Sequence, residues 1–252
     1  MRCGHFDFRY SASSVFDRLG FGIAEAFGDL GVNTMFVGHY GPCFAIKSTQ
    51  RSIPLWALFI AVQFLDVGWS VLVFFGVEKL RIVPGITASN PFDLYYMPYT
   101  HSLIAALVWS MAGIFPGKVL LRNWPAGIWV GVAIFSHWVL DFLVHRPDLP
   151  LYDDAAKVGL GIWNYPIIAL LLEALLLFGG MFLYLRQTRA VSAIGRFGPP
   201  VFGIVMLAIQ SYIFFGPLPT SPVDAAVTAL ITYIVFAAVA HWLDSNREPA
   251  AT

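Results

Sequence analysis

Long runs of apolar residues alternate with short polar segments over most of the chain. A helix needs about 20 apolar residues to cross the hydrocarbon core of a bilayer, and most of the runs reach that length. The runs cover residues 54–77, 101–116, 125–144, 160–185, 198–216 and 222–243. A shorter apolar stretch at 35–46 is either a tight span or a half-inserted helix. The pattern predicts an all-α fold, a polytopic transmembrane helix bundle with six to seven spans.

The two ends of the chain do not share this pattern. Residues 1–34 contain polar and acidic side chains, no continuous apolar core and no small-residue cleavage site, so they do not form a signal peptide. They are either a surface extension or a product of start-codon choice, with Met35 as the functional start. We therefore divide the chain into an N-terminal extension at 1–34, a transmembrane domain at 35–244 and a tail at 245–252.

Composition supports a membrane protein and excludes three other classes. Hydrophobic residues make up 58% of the chain and charged residues only 12%, which excludes a disordered protein. The formal net charge is zero, which excludes a nucleic-acid binder that works through bulk positive charge. Cys3 and Cys43 are the only cysteines, so the chain is not a disulfide scaffold. The expected partner is the lipid bilayer.

Basic residues are distributed unevenly among the segments between the runs. Segments 78–100 and 145–158 mix acidic with basic residues. Lys and Arg occur without any acidic residue in three others, the loops 46–53, 117–124 and 186–197. Because cytoplasmic loops are enriched in Lys and Arg, these three loops are predicted to face the cytoplasm.

Several ionisable residues lie inside or at the ends of the apolar runs. In a bilayer such a side chain costs several kcal/mol, so each needs a partner or a function. The set consists of His39, Asp66, His101, His137, Asp141, His145 and Glu173. With the orientation above, most of its members lie toward the outer ends of their helices, and the set is predicted to line a funnel that opens to the outer face.

The segment from Ser136 to His145 carries the clearest chemical pattern. His137, Asp141 and His145 are four residues apart in turn, which places them on one stripe of a helix. Imidazole and carboxylate groups one turn apart can bind the same divalent ion, and this ligand set suits zinc or another first-row metal. The alternative is a His–Asp hydrogen bond that allows two polar groups to be buried in a bundle.

The remaining members are candidates for the same site. His101 and His39 are predicted as further metal ligands. Asp66, near the middle of its run, is predicted either as a ligand or as the general base, and its alternative is a helix-packing hydrogen bond. Glu173, in the middle of a later run, is a candidate acid–base group.

The order of these residues is similar to that of a known family. Gly38-His39, Asp66, Thr100-His101-Ser102-Leu103 and Ser136-His137-x-x-x-Asp141 followed by Pro147-Asp148-Leu149-Pro150-Leu151 resemble the membrane-bound metal-dependent hydrolases of bacterial inner membranes. They are more distantly similar to the zinc-dependent phospholipase C proteins. The resemblance covers about residues 35–151 and implies an inner-membrane location, a divalent metal cofactor and zinc as the expected ion. Asp66 departs from it, because Val67, Gly68 and Trp69 follow where the family often has Asp-x-Asp-His.

Three functions are compatible with this sequence. The leading hypothesis is a metal-dependent hydrolase of an ester or phosphoester in a lipid or lipid-linked substrate, with its site at the outer face. The second is a cation- or proton-coupled transporter, for which no inverted repeat is visible. The third is a membrane scaffold whose polar residues are structural, and it predicts that no metal binds.

Overall fold

The computed structural model describes residues 36–250, so the predicted extension at 1–34 and the role of Met35 lie outside the described residues. The described part is a bundle of α-helices, which confirms the predicted all-α fold. A 3₁₀ turn at Val37–His39 leads directly into the first helix. The helices are α1 (Tyr40–Thr49), α2 (Leu55–Val62), α3 (Phe64–Phe74), α4 (Leu103–Leu121), α5 (Trp124–Val144), α6 (Pro166–Gln187), α7 (Ala193–Phe215) and α8 (Pro222–Asp244).

Helices α4 to α8 are each long and apolar enough to cross a membrane. Helices α2 and α3 make a sixth candidate if they count as one span, bent by 52° at their junction. These apolar helices indicate an integral membrane protein. The stretch at 35–46 does not add a seventh span, because α1 has 10 residues and is only about 15 Å long.

Two helices extend past the predicted bounds of their runs at prolines. The predicted 101–116 run continues as α4 to Leu121 and contains Pro116, and α7 begins at Ala193 and contains Pro199 and Pro200. A proline removes one backbone hydrogen bond from a helix. Where neighbouring helices support the backbone, the helix continues past the proline. The predicted 160–185 run begins as helix only at Pro166, because a 3₁₀ turn at Ile162–Asn164 precedes it.

Four short strands were not predicted from the sequence. Strands β1 (Lys79–Ile82) and β2 (Phe92–Tyr96) form an antiparallel hairpin between α3 and α4. Phe92 and Leu94 are buried in a hydrophobic cluster with side chains of α3 and α5, so the hairpin covers one end of the bundle. Strands β3 (Thr188–Ala190) and β4 (Arg247–Pro249) pair at the start of the α6–α7 connection.

Ion pairs and hydrogen bonds assign the connecting segments to the two ends of the bundle. At one end, Lys47 pairs with Asp244 at 2.9 Å, next to the β3–β4 pair. At the other end, Arg146 just after α5 pairs with Asp93 of the hairpin, and the backbone N–H of Leu103 donates to Pro150. Helix α6 has 22 residues, about 33 Å, and separates the two ends. Loops 46–53 and 186–197 therefore lie at the end opposite the hairpin.

Candidate metal centre

The site begins at the break between α2 and α3, where the sequence predicted one continuous run over 54–77. The break at Gln63 places Asp66 in the first turn of α3. The carbonyl oxygen of Val62, the last residue of α2, accepts a hydrogen bond from Nδ1 of His137 at 2.8 Å. An interrupted helix inside a membrane protein needs such partners for its free backbone groups. The bend therefore supplies both a carboxylate and a fixed acceptor to the site.

Helices α3 and α5 and the turns before α1 and α4 bring six side chains together, which we call the His–Asp centre. Its members are His39, Asp66, His101, His137, Asp141 and His145. The four imidazoles and Asp141 are almost completely buried, while 21% of the Asp66 side chain is exposed. Two sets of three potential ligand atoms each lie within 4.8 Å of one another: His39, His137 and Asp141, and Asp66, His101 and His137.

The Nε2 atoms of all four histidines face carboxylate oxygens. His39 Nε2 lies 3.2 Å from Asp141 Oδ1, and His145 Nε2 lies 3.7 Å from the same oxygen. His137 Nε2 lies 3.2 Å from Asp141 Oδ2, and His101 Nε2 lies 3.2 Å from Asp66 Oδ1. Nε2 of His39 is also 3.2 Å from the backbone carbonyl oxygen of His137. Imidazole nitrogens and carboxylate oxygens, all potential metal ligands, thus surround a common space.

The Nδ1 atoms of the same histidines point away from this space toward hydrogen-bond acceptors. His39 donates to the carbonyl oxygen of Phe36 at 3.0 Å, and His145 donates to Asp148 Oδ1 at 2.9 Å. A carbonyl or carboxylate oxygen can only accept, so these acceptors, like Val62 behind His137, assign the hydrogen to Nδ1. The Nε2 atoms of His137 and His145 are then free to present their lone pairs to a metal, whereas Nε2 of His39 also lies within hydrogen-bond distance of the His137 carbonyl oxygen.

The Nδ1 atom of His101 also carries the hydrogen, and in this residue a longer chain of hydrogen bonds holds it there. The Thr100 hydroxyl donates to Glu78 Oε2 at 2.6 Å, so its oxygen accepts from His101 Nδ1 at 2.7 Å. Glu78 Oε1 also accepts the backbone N–H groups of Tyr99 and Thr100. Burial raises the pKa of the Glu78 carboxyl above its ordinary value. Glu78 was missed in the sequence, although an acidic residue just beyond an apolar run was a usable signal.

These residues fit a divalent cation. Nε2 of His137 and Oδ2 of Asp141 are both buried and have no hydrogen-bond partner, although they are 3.2 Å apart. Protons in all four Nε2–carboxylate contacts, whether carried by imidazoles or by carboxyl groups, would leave two uncompensated positive charges in a buried site. Burial of excess charge is expensive, and divalent metal would satisfy these nitrogen and oxygen atoms at lower cost.

Two further side chains hold the centre from outside. The Tyr233 hydroxyl of α8 donates to Asp66 Oδ2 at 2.7 Å. Asp148 Oδ2 lies 3.1 Å from Arg146 Nε, and Arg146 pairs in turn with Asp93 of the hairpin. Sequence reasoning gave neither Tyr233 nor Asp148 a role. An uncharged tyrosine in a span carries little signal, whereas Asp148 follows His145 by three residues and could have been paired with it.

Glu173 lies behind the centre and does not line its cavity. Its Oε2 accepts the backbone N–H of Val37 at 3.1 Å, in the turn that carries His39. Glu173 therefore holds the backbone of a candidate ligand. His241, the remaining histidine of the described part, lies near the other end of the bundle, at the end of α8.

A cavity of about 60 Å³ opens beside the centre. It is several times larger than the space that one water molecule requires. His39, Asp66, His101, Asp141 and His145 form its polar side. Apolar and aromatic residues form most of the rest, including Phe36, Trp69, Phe92, Leu94, Met97 and Trp163. The hairpin thus contributes Phe92 and Leu94 to an apolar wall of the same cavity.

A protein related to this chain would be expected to share the apolar wall of the cavity and the buried His–Asp centre. No family model, curated protein or solved structure matches the chain. The resemblance of residues 35–151 to the membrane-bound metal-dependent hydrolases therefore stays a prediction.

Proposed function

We propose that the chain is a metal-dependent hydrolase of the bacterial inner membrane that acts on an ester or phosphoester in a lipid or lipid-linked substrate. The observation that carries the proposal is the arrangement of the four histidines, whose Nδ1 atoms are bound from behind while their Nε2 atoms face two carboxylates. Ligating histidines in metalloproteins are oriented in this way by outer acceptors. Zinc is the ion proposed, because it accepts nitrogen and carboxylate ligands in one site.

The residues divide into ligands and groups that position them. His39, His101, His137, His145 and Asp141 are the proposed ligands. Asp66, which the sequence left as ligand or general base, is proposed as a ligand, because Oδ1 faces His101 while Tyr233 occupies Oδ2. A bound divalent ion would lower the pKa of a water molecule and polarise the scissile ester. Glu78, Asp148 and the carbonyl oxygens of Phe36 and Val62 keep the imidazoles oriented.

Location and cavity shape support a lipid or lipid-linked substrate. The centre lies at the hairpin end of the bundle, opposite loops 46–53 and 186–197. We propose that these loops and loop 117–124 face the cytoplasm, because all three are purely basic. The centre then opens toward the outer face. The apolar wall of the cavity suits an acyl chain whose ester lies beside the His and Asp side chains.

The test combines elemental analysis of the detergent-purified protein with hydrolysis of chromogenic carboxyl esters and phosphoesters. We expect bound divalent metal and hydrolysis in the wild type and in the control His241→Ala, and less bound metal with slower hydrolysis in His137→Ala. Thermal unfolding of each variant separates loss of metal from loss of fold. Wild-type protein that retains no metal after exposure to zinc would contradict the proposal. Gradient-dependent uptake of metal into proteoliposomes, without hydrolysis, would support the transporter instead.

A further inference from the structure

The two oxygens of Asp141 face different histidines. Oδ1 lies 3.2 Å from His39 Nε2 and 3.7 Å from His145 Nε2. Oδ2 lies 3.2 Å from His137 Nε2 and 3.6 Å from His101 Nε2. We propose that the centre binds two divalent cations bridged by Asp141, one held by Asp66, His101 and His137 and the other by His39 and His145. This inference rests on the proposed metal-dependent function and adds the number of ions and the assignment of each ligand.

The number of donors exceeds what one ion can use. Zinc in proteins usually has four ligands, whereas six side chains converge here. His137 belongs to both sets of three ligand atoms, but its Nε2 has one lone pair and can bind one ion only. A single ion would leave some of the other buried Nε2 lone pairs facing carboxylate oxygens without a proton or a cation between them, which is costly.

The separations within the centre match the spacing of ligands on one ion. Ligands about 2.0–2.2 Å from zinc in a tetrahedral site lie about 3.3–3.6 Å from each other. Asp66 Oδ1 is 3.2 Å from His101 Nε2 and 3.5 Å from His137 Nε2. The same two nitrogens lie 3.6 and 3.2 Å from Asp141 Oδ2. Four of the six separations among these atoms therefore agree with a tetrahedral set of ligands for the first ion.

The second position has three protein ligands, His39, His145 and Oδ1 of Asp141. Catalytic zinc sites have three protein ligands and leave one position open, whereas structural sites have four. His39 and His145 line the cavity, and His137 is not among its lining residues. All three ligands of the second position line the cavity, so its open position faces that space. The first position borders the same cavity through Asp66, His101 and Asp141, and only its His137 lies outside the lining.

The two positions are also supported by separate residues. His145 is held by Asp148, and its ring lies 4.2 Å from the Trp163 ring. His101 is held by Thr100 and Glu78, and Asp66 by Tyr233. Single substitutions can therefore empty one position while the ligands of the other keep their orientation.

The experiment measures bound metal per chain in the full-length protein after loading with zinc and removal of loosely bound ions. We expect about two ions in the wild type and in the control His241→Ala, and about one in each of His145→Ala and His101→Ala. Loading with cobalt instead gives a second readout, because two carboxylate-bridged Co²⁺ ions are magnetically coupled. We expect that coupling in the electron paramagnetic resonance spectrum of the wild type and its loss in both single variants.

The possible outcomes separate this inference from the proposed function. One ion per wild-type chain, without coupling, would overturn the two-ion centre and leave the hydrolase proposal intact, whereas no bound ion would overturn both. If the alanine variants fail to fold, Asp148→Asn retains every ligand and replaces the carboxylate behind His145 by a neutral acceptor, which lowers the basicity of the imidazole. We expect this variant to release one ion at a lower chelator concentration than the other, and simultaneous release of both would contradict the assignment.

Discussion

At the residue scale, the orientation of each imidazole depends on the group behind it. Thr100 is the clearest case, because its hydroxyl joins Glu78 to His101. The cap of α4 is Ser102, whose side-chain oxygen accepts the N–H of Ala105 at 3.1 Å. Thr100 therefore orients the His101 ring and does not cap the helix.

Replacing Thr100 by Val is expected to weaken zinc binding about 10- to 100-fold while the fold is retained, because valine has the same shape but cannot accept from His101. Competition with a chromophoric chelator measures the affinity. Thr49→Val is the matched control, since its hydroxyl donates to Ile46 in α1, near the opposite end of the bundle. Equal affinities for Thr100→Val and wild type would show that the Glu78–Thr100 chain does not orient His101.

Glu173 allows a test between a structural and a chemical role. Its carboxylate accepts the N–H of Val37, and a glutamine carbonyl oxygen can accept the same bond. We expect Glu173→Gln to keep metal and hydrolytic activity, and Glu173→Leu to lose about 1–3 kcal/mol of stability because the buried N–H loses its acceptor. Thermal unfolding and hydrolysis rates are the measurements. A stable Glu173→Gln variant with metal but no turnover would support the acid–base role predicted from the sequence.

At the element scale, regular helix geometry could be predicted from the sequence and irregular geometry could not. The stripe of His137, Asp141 and His145 follows from helical spacing alone, and the structure places all three in the centre. The position of Asp66 depends on a bend at Gln63, where neither proline nor glycine marks the break. Tyr233 reaches Asp66 only through the packing of α8 on α3, a contact between residues far apart in the chain.

Close contact between α1 and α6 links the bundle to the centre. A Cβ added at Gly180 would lie 2.0 Å from the carbonyl oxygen of Gly41, whereas one at Gly179 would meet nothing within 4 Å. Because His39 immediately precedes α1, separation of the two helices would also move a proposed ligand.

Gly180→Ala is therefore expected to destabilise the protein by about 1–3 kcal/mol and to reduce bound metal, because backbone atoms must move to admit the methyl group. Gly179→Ala, one residue away and facing open space, is expected to change neither property appreciably. Thermal unfolding and elemental analysis of the two variants give the comparison. Equal stability of the pair would mean that α1 and α6 can separate without cost.

At the scale of the whole molecule, the purely basic loops and the His–Asp centre lie at opposite ends of the bundle. The purely basic loops 46–53 and 186–197 lie beside the Lys47–Asp244 pair and the β3–β4 strands, while the hairpin covers the His–Asp centre. The charge pattern of the sequence could predict this polarity because membrane insertion depends on loop charge. The hairpin could not be predicted in the same way, since its strands are short and their burial depends on contacts with distant helices.

Orientation in the membrane can be tested with single cysteines in a Cys3→Ser background, where Cys43 remains but is buried. Ser52 and Val191 are exposed residues of the two basic loops, and Tyr152 is exposed in the segment after α5. With an impermeant maleimide on spheroplasts, we expect Tyr152→Cys to react while the membrane is intact. Ser52→Cys and Val191→Cys should react only after the membrane is opened, because we propose that the basic loops face the cytoplasm. Labelling of Tyr152→Cys and Val191→Cys from the same side would contradict this orientation, and with it the outer-face location of the centre.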